Sequence, residues 1–387
     1  MRINPEIKQS PTLKFAMAAR ERIANGQKII SLGLGEPEFD VPNEIVEATR
    51  QVLASKKSGY SSPMGLPELK KIIASKLKDE NGIPCTENNI LISAGAKQAF
   101  QMIVSALLVP NDEVIIINPS FVSFVPQVLI AEPDCKVINI DVNKTDFSLH
   151  LDLIEKSITK NTKLLVVNSP NNPAGYMLSQ EELTKLYSLA EKYDFYVLSD
   201  EIYEKLKFGQ RKHFSIGSLE KEEVKRVITI NGYSKSHAMT GWRLGYACFP
   251  KFMFENLLKL QMHTNTNTCT FIQEGVANAD NTDLSFLKEY NNKLKERISW
   301  YKEMIDRTEG VSSIIPQGGF FAFMNISKLG MDSNTFCGRL IEDTGVATTP
   351  GVAFGDNWDD HIRISFATDD EIVKQGLNLI ENFIKSL

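Results

Sequence analysis

The segment at residues 231–245 has the composition of a site that binds an anion and reacts with a carbonyl compound. It reads Asn-Gly-Tyr-Ser-Lys-Ser-His-Ala-Met-Thr-Gly-Trp-Arg-Leu-Gly and follows a β-branched run at residues 227–230. Lys235 offers an amine that can form a carbonyl adduct, and Arg243, eight residues later, offers a guanidinium that can hold a phosphate. A lysine on a basic surface loop has the same spacing, so the segment alone leaves both interpretations open.

An acid and a phenol form a second candidate pair directly after the strand-like run at residues 195–198. Asp200 and Tyr203 lie three positions apart. Both can contribute to a site, because strand ends in open α/β sheets face the ligand. The structural alternatives are a helix cap for Asp200 and a core aromatic for Tyr203.

A third candidate lies in the strand-like stretch at residues 361–366. Arg363 would share one face of this strand with His361 and Ser365. A buried guanidinium requires an anion, and a carboxylate that accepts two parallel hydrogen bonds is its natural partner. Arg363 therefore binds either a substrate carboxylate or an acid of the protein.

The pattern of strands and helices that must position these residues predicts an α/β fold. Short β-branched runs alternate with helical stretches between residues 43 and 280, which is typical of a mostly parallel sheet covered by helices. The strand-like runs are residues 90–93, 114–117, 163–167, 195–198 and 227–230. The clearest helices are predicted at residues 67–79, 97–108 and 180–192, the last one capped by Ser179.

The pattern changes beyond residue 283 and predicts a second, α+β domain. A long charged helix at residues 287–308 is followed by strand-like stretches at 320–325 and 361–366, a helix near 333–343 and a final helix from Asp369. A chain of 387 residues exceeds the size at which one core keeps growing. We therefore expect a large and a small domain that pack across a cleft.

Composition excludes several classes of function. A net charge of -5 with scattered Lys and Arg argues against a nucleic-acid partner, and the most apolar stretch, residues 114–130, is too interrupted to enter a membrane. The five cysteines are odd in number and widely separated, and the five histidines form no cluster. The sequence thus predicts no metal site and indicates reduced thiols in a cytoplasmic protein.

The segment around Lys235 resembles the cofactor-lysine signature of the class I aminotransferases, S-K-x-x-x-M-T-G-W-R-x-G. These are fold type I enzymes that bind pyridoxal 5'-phosphate. By this resemblance Lys235 carries the cofactor as a Schiff base and later moves a proton, while Arg243 and Ser234 hold the phosphate. The likeness to the family's D-x-x-Y element implies that Asp200 keeps the pyridine nitrogen protonated and that Tyr203 donates to the 3-oxygen of the ring.

Two further segments resemble elements of the same family that surround the cofactor ring. Residues 168–175 are similar to its N-P-x-G element, which implies that Asn172 contacts the 3-oxygen and the substrate carboxylate. Residues 119–124 resemble its aromatic lid, with Phe121 stacked on the ring. A structural turn and a buried core aromatic are the alternatives.

Two more segments resemble family elements that contact the phosphate, one of them from the neighbouring subunit. Residues 92–98 are similar to the loop that holds the phosphate, with Gly95, Ala96 and Lys97 contributing mainly backbone. Residues 60–69 resemble an element whose tyrosine, here Tyr60, reaches the phosphate of the neighbouring subunit. That likeness implies a homodimer with shared active sites.

Residues near both ends of the chain resemble family elements that bind the substrate carboxylate. Residues 32–40 resemble the family's G-E-P-x-F-D stretch, in which the backbone at Gly35 contacts the carboxylate, although glycine also suits a plain turn. Arg363 matches the family's arginine that binds the α-carboxylate.

The resemblance as a whole implies a large domain at residues 43–284 and a small domain formed by residues 1–42 and 285–387. The implied reaction moves an amino group from an L-amino acid to a 2-oxo acid, such as 2-oxoglutarate, in a ping-pong cycle. A carbon–sulfur lyase or a cofactor-binding regulator carries many of the same residues and stays open, as does the identity of the amino donor.

Overall fold

The computed structural model of the chain describes residues 4, 7–56, 59–280 and 282–387. The strands are β1 (Ile30–Ser31), β2 (Ile90–Ser93), β3 (Glu113–Asn118), β4 (Lys136–Asp141), β5 (Thr162–Asn168), β6 (Tyr196–Asp200), β7 (Val227–Gly232), β8 (Gly245–Cys248), β9 (Ser312–Ser313), β10 (Phe321–Asn325), β11 (Val346–Ala347), β12 (Thr349–Pro350) and β13 (His361–Ser365). The α-helices are α1 (Pro11–Ala24), α2 (Asn43–Ala54), α3 (Pro67–Asn81), α4 (Ala96–Leu107), α5 (Phe124–Ala131), α6 (Leu151–Ser157), α7 (Gln180–Tyr193), α8 (Tyr233–Ser236), α9 (Phe254–Thr264), α10 (Thr270–Asn278), α11 (Phe286–Asp306), α12 (Ser333–Thr344) and α13 (Asp370–Lys385).

The large sheet has seven strands in the order β2-β8-β7-β6-β5-β3-β4. The five strands from β7 to β4 are mutually parallel, and β8 alone runs antiparallel to both of its neighbours. All five predicted strands are present, so the prediction of a mostly parallel sheet is confirmed. The two strands that the pattern did not predict are β4 and β8.

Helices cover both faces of this sheet, which is why its central strands read as continuous apolar runs. All six residues of β3 are buried. Val114 and Ile116 point into one hydrophobic core, whereas Ile115 and Ile117 point into the other. Alternation of side chains across a strand therefore divides one apolar run between two cores.

Local capping sets the start of α7 as predicted. Ser179 Oγ accepts a hydrogen bond from the Glu182 amide at 3.2 Å, and the Glu182 carboxylate accepts one from the Ser179 amide at 2.8 Å. This reciprocal capping box satisfies two backbone donors at the helix start. Among the helices of the described residues, none combines the length and the apolar composition needed to span a membrane.

The C-terminal third forms an α+β unit, and the N-terminal segment joins it. Its sheet has the order β12-β13-β10-β9 and is antiparallel. Strand β1 pairs in parallel with β11, so Ile30 lies opposite Val346. The domain limits at residues 43 and 284 stay a prediction, but this pairing supports a small domain built from both ends of the chain.

A buried arginine holds the N-terminal segment on α11. Arg297 is 1% exposed, and its guanidinium binds Glu38 through two hydrogen bonds of 2.7 and 2.6 Å and Asp370 through one of 2.6 Å. We expect Arg297→Met to lower the free energy of unfolding by about 3 kcal/mol, because it leaves two acids without their partner. Urea unfolding measures this change. The control is Arg50→Met, which breaks an exposed pair with Glu47 and should cost under about 1 kcal/mol.

Candidate active site

The carboxyl ends of the parallel strands meet at one edge of the large sheet, and a cavity of about 470 Å³ opens there. Asn168 ends β5, Asp200 ends β6, and α8 with Lys235 begins directly after β7. All three residues line the cavity. The β-α alternation of the sequence thus brings together residues that are far apart in the chain.

Lys235 is a buried amine that faces a backbone carbonyl. Its Nζ donates a hydrogen bond to the Gly35 oxygen at 2.5 Å and lies 6.0 Å from the centre of the Tyr203 ring. Burial lowers the pKa of Lys235 to about 8, and the positive charges of Arg363 and Arg243 act in the same direction. About a tenth of the amine is therefore unprotonated at pH 7, far more than for an ordinary lysine, and able to attack a carbonyl carbon.

Asp200 is a buried carboxylate next to this amine. Its Oδ1 accepts a hydrogen bond from the Ile202 amide at 3.1 Å. Burial raises the pKa of Asp200 to about 7, and the negative charge of Glu201 adds to the rise. A cation placed beside this carboxylate would restore its ionised form, so the environment favours a positively charged ligand group.

Arg363 is held by neutral oxygen atoms. Its Nη1 donates to Asn172 Oδ1 at 2.9 Å and its Nη2 donates to the Gly33 carbonyl at 2.8 Å. The guanidinium lies 4.1 Å from the centre of the Phe321 ring. Burial lowers the pKa of Arg363 to about 10. Since no acid of the described residues forms a salt bridge with it, the charge is free to bind an anion.

The opposite end of the cavity is formed by the start of α4 and by Arg243. The guanidinium donates to the Thr240 carbonyl at 2.8 Å and to the Ala94 carbonyl at 3.1 Å. Arg243 has φ of +56°, a left-handed conformation that costs a non-glycine residue energy and is found mainly at functional sites. The amide groups at the start of α4 and this guanidinium together suit a phosphate.

Gly95, which precedes α4, gives Arg243 the space for this conformation. Gly95 has φ of +84°, and a Cβ atom there would lie 2.4 Å from Arg243 Nη2. We expect Gly95→Ala to displace the guanidinium and to weaken binding of a phosphate-bearing ligand by about tenfold. Equilibrium titration monitored by absorbance would measure the change. The control is Gly241→Ala, since a Cβ atom there meets nothing within 4 Å; equal loss in both variants would contradict the role of Gly95.

Comparison with known proteins identifies the family. The sequence model described as "Aminotransferase class I and II" matches residues 27–380. The chain belongs to this family. It is 37% identical over 372 residues to the aspartate aminotransferase of Pyrococcus abyssi, and the match covers 94% of both chains. It is 35% identical over 361 residues to aromatic-amino-acid aminotransferase 2 of Thermococcus litoralis, and that match covers 92% of both chains. The structure of the Thermus thermophilus aspartate aminotransferase with maleate is 34% identical, covers both chains completely and superimposes with a TM-score of 0.92.

The chain is therefore a pyridoxal-phosphate-dependent aminotransferase of fold type I, which transfers an amino group between an amino acid and a 2-oxo acid. The cavity fits the cofactor on its own chemistry. Asp200 is buried and lacks only a cation, as a protonated pyridine nitrogen would provide. Gly95 leaves room for an arginine beside a helix start, as a phosphate requires.

Most residues that the sequence predicted for the aminotransferase site meet in this cavity. Those that line it are Gly35, Ala96, Lys97, Phe121, Asn172, Asp200, Tyr203, Ser234, Lys235, Arg243 and Arg363. Gly95 lies directly behind Arg243. Tyr60 is 89% exposed and lies outside the lining of the cavity. Phe124 also lines the cavity, and its buried ring stacks on Phe100 with ring centres 4.7 Å apart.

Several residues of the site were not predicted. Asn168 accepts a hydrogen bond from the Asn172 amide at 2.8 Å and donates one to the Asp200 carbonyl at 2.9 Å. Its place at a strand end is a signal that could have identified it. The N-terminal helix α1 also lines the cavity, with Arg20 among its residues. Nothing in the local sequence of α1 indicates this position.

A buried acidic cluster lies behind the aminotransferase site. Ligand-type atoms of Glu201, Glu204 and His213 lie within 4.8 Å of one another. Lys76 forms a salt bridge with Glu204, and Asn81 Nδ2 donates to Glu204 Oε2 at 2.6 Å. These partners compensate the buried charges, so the cluster is explained as a structural network.

Proposed function

We propose that this aminotransferase takes its amino group from aspartate and passes it to 2-oxoglutarate. The observation that carries the proposal is the meeting of Lys235, Asp200 and Arg363 in one cavity of about 470 Å³. An amine with a lowered pKa, a carboxylate that favours a cation and an unpaired guanidinium are the three groups that amino transfer requires.

Pyridoxal phosphate, when bound, supplies a carbonyl group that can accept an amine and a ring that withdraws electrons from the substrate Cα. In our proposal Asp200 keeps the ring nitrogen protonated. Tyr203 would donate a hydrogen bond to the 3-oxygen, Asn172 would be a second contact of that oxygen, and Phe121 would cover the ring. Burial raises the pKa of Tyr203, which keeps the phenol a donor at working pH.

The phosphate is assigned to the end of the cavity at α4. Backbone amides of Ala96 and Lys97, the hydroxyl of Ser234 and the guanidinium of Arg243 are the proposed donors. Gly95 contributes through the space it leaves. Lys97 also carries charge, and burial together with Arg243 lowers its pKa. A phosphate placed here would relieve the repulsion between these two cations.

Lys235 is the proposed proton carrier. Its free amine would take a proton from the substrate Cα and would hold it for return to the product, while the bound cofactor would supply the carbonyl group. Its pKa of about 8 lies close to working pH, where both the base and the acid forms are populated. The Gly35 carbonyl, 2.5 Å from Nζ, orients the amine.

The substrate α-carboxylate is assigned to Arg363, Asn172 and the backbone at Gly35. Arg363 already donates to Asn172 and Gly33, which fixes the plane of the guanidinium before the substrate arrives. Because the guanidinium is fixed before binding, less conformational entropy is lost when the substrate carboxylate binds. The bound carboxylate in turn orients the Cα–H bond of the substrate.

The proposal of an acidic side chain rests on the charge of the cavity. Its lining contains five cationic side chains and two acidic ones, Asp200 and Glu36. Arg363 is assigned to the α-carboxylate, Arg243 and Lys97 to the phosphate and Lys235 to the cofactor, which leaves Arg20 for a further carboxylate. The relatives named as aspartate aminotransferases support the same donor.

The proposed assembly is a homodimer with shared active sites. Tyr60 is 89% exposed although it is an aromatic residue, and it precedes Gly65 and α3 on the outside of the subunit. In the proposed dimer its hydroxyl reaches the phosphate of the partner subunit. This contact would bury the aromatic ring and complete the second set of phosphate donors.

The cytoplasm is the proposed location of the enzyme. All five cysteines are free, and four of them are buried. Free thiols persist in a reducing compartment, whereas secreted proteins usually pair them. Amino acids and 2-oxo acids are also small metabolites that a cytoplasmic enzyme would share with its pathway.

The test is an amino-donor panel with the purified enzyme. Aspartate, phenylalanine, tyrosine, alanine and methionine are each supplied with 2-oxoglutarate, and the products are identified by mass spectrometry. Glutamate and oxaloacetate from aspartate would support the proposal. A preference for phenylalanine or tyrosine would show that the amino donor is aromatic and not aspartate. Pyruvate with free ammonia would indicate an elimination reaction. Light scattering of the same sample gives the oligomeric state.

A further inference from the structure

The loop at residues 355–360, which leads into β13, is anchored on the large sheet. Trp358 is fully buried, and its ring centre lies 6.0 Å from that of Phe147 in the core under β3 and β5. Asp141, the last residue of β4, accepts a hydrogen bond from Trp358 Nε1 at 2.7 Å and another from Asn357 Nδ2 at 2.7 Å. A single carboxylate of the large sheet therefore holds two successive residues of the loop.

A second side chain, Lys144 in the turn that follows β4, holds the same loop. Lys144 Nζ donates to the Asn357 carbonyl at 2.6 Å and to Asp360 Oδ2 at 2.9 Å, and it lies 5.1 Å from the centre of the Trp358 ring. Asp360 in turn bonds His361 Nδ1 at 2.6 Å. His361 is the first residue of β13.

The anchored loop controls the surroundings of Arg363 in two ways. Arg363 follows His361 by two positions in β13, so the direction of the strand sets the direction of the guanidinium. The preceding turn carries Phe354, whose ring centre lies 5.0 Å from the Arg363 guanidinium and whose carbonyl accepts a hydrogen bond from the Ser120 amide at 3.0 Å. Both the strand and one wall of the guanidinium thus depend on contacts with β4 and with the segments that follow β3 and β4.

We infer that Asp141 and Lys144 are positioning residues for the substrate α-carboxylate, acting through the loop at 355–360 on Arg363. The inference rests on the proposed role of Arg363. Bidentate binding of a carboxylate depends on the plane of the guanidinium, so a small rotation of β13 would weaken it. Neither positioning residue lines the cavity, and neither touches a reacting atom.

The test compares a substrate that has an α-carboxylate with one that lacks it. Initial rates of the holoenzyme are measured over a range of concentrations of aspartate and of β-alanine, which is aspartate without its α-carboxylate, and they give KM and kcat. Calorimetry measures the Kd of 2-oxoglutarate. The variants are Asp141→Ala, Asp141→Asn and Lys144→Met, with Arg363→Lys as the reference and Asp134→Ala, an exposed acid before the other end of β4, as the matched control.

We expect Asp141→Ala and Lys144→Met to raise the KM for aspartate and the Kd of 2-oxoglutarate by about tenfold, with a smaller change in kcat and an unchanged rate with β-alanine. Asp141→Asn keeps an acceptor for Trp358 and should stay within about twofold of the wild type. Lys144 is 40% exposed, so its variant tests the inference even if Asp141→Ala fails to fold.

Two results would overturn the inference. Loss with both substrates alike would assign the two residues to general stability, and wild-type affinity in Lys144→Met and Asp141→Ala would show that β13 needs no anchor. The reference variant separates these results from failure of the proposed function. If Arg363→Lys binds 2-oxoglutarate normally, the assignment of the carboxylate to Arg363 is itself wrong.

Discussion

Replacing Lys235 with alanine will lower kcat for amino transfer by at least about 10⁴-fold, because the same amine is the nucleophile toward the cofactor and the proton carrier. The cofactor is expected to remain bound, since its phosphate, ring and ring nitrogen are assigned to other residues. Stopped-flow absorbance between about 330 and 430 nm follows both the bound cofactor and its amination. The variant should lose the spectral change on mixing with aspartate.

The matched control is Lys212→Ala, which removes an exposed lysine and should leave kcat unchanged. Methylamine added to Lys235→Ala should restore part of the rate, because a small amine can enter the space left by the side chain and carry the proton. A Lys235→Ala enzyme that keeps more than a tenth of the wild-type kcat would disprove the assignment.

Asp200→Asn is expected to change activity and stability in opposite directions. Asparagine cannot keep the ring nitrogen protonated, so kcat should fall by about 10³-fold. In the cofactor-free protein, however, burial raises the pKa of Asp200 to about 7, above the value of about 3.9 in the unfolded chain. Between these values the folded state binds more protons, and its stability therefore falls as the pH rises.

The variant avoids this penalty, so at pH 8 the cofactor-free Asp200→Asn protein should be more stable than the wild type by about 4 kcal/mol. The difference should fall to under about 1 kcal/mol near pH 4, where the carboxyl group is protonated in the folded state and about half protonated in the unfolded chain. Urea unfolding at the two pH values measures it, with the exposed Asp134→Asn as control. A variant that is less stable at pH 8 would show that the carboxylate is already compensated in the folded protein.

The fold could be predicted where strands are buried on both faces. Residues 114–117 form one apolar run because their side chains pack alternately into two hydrophobic cores, and such runs are visible in a sequence. Strand β4 is an edge strand with mixed burial, and β8 contains no β-branched residue, so neither has a strong pattern. Helix α8 has four residues and is too short for any periodicity.

The residues of the site could be predicted from the sequence, but the contacts between them could not. Resemblance to the family placed Asp200, Lys235 and Arg363 in one site. The contact of Lys235 with the Gly35 carbonyl and that of Arg363 with Asn172 join distant segments, and no local pattern encodes such pairs. Helix α1 reaches the cavity through tertiary packing alone, for the same reason.

The pairing of β1 with β11 has a consequence for synthesis of the protein on the ribosome. Ile30 emerges long before its partner Val346, and Arg363 follows later still. The large sheet is complete once residue 248 has emerged, so it can fold while translation continues. The nascent chain must therefore hold its N-terminal segment undocked until β11 has emerged, and the proposed substrate site is complete only after Arg363 has followed.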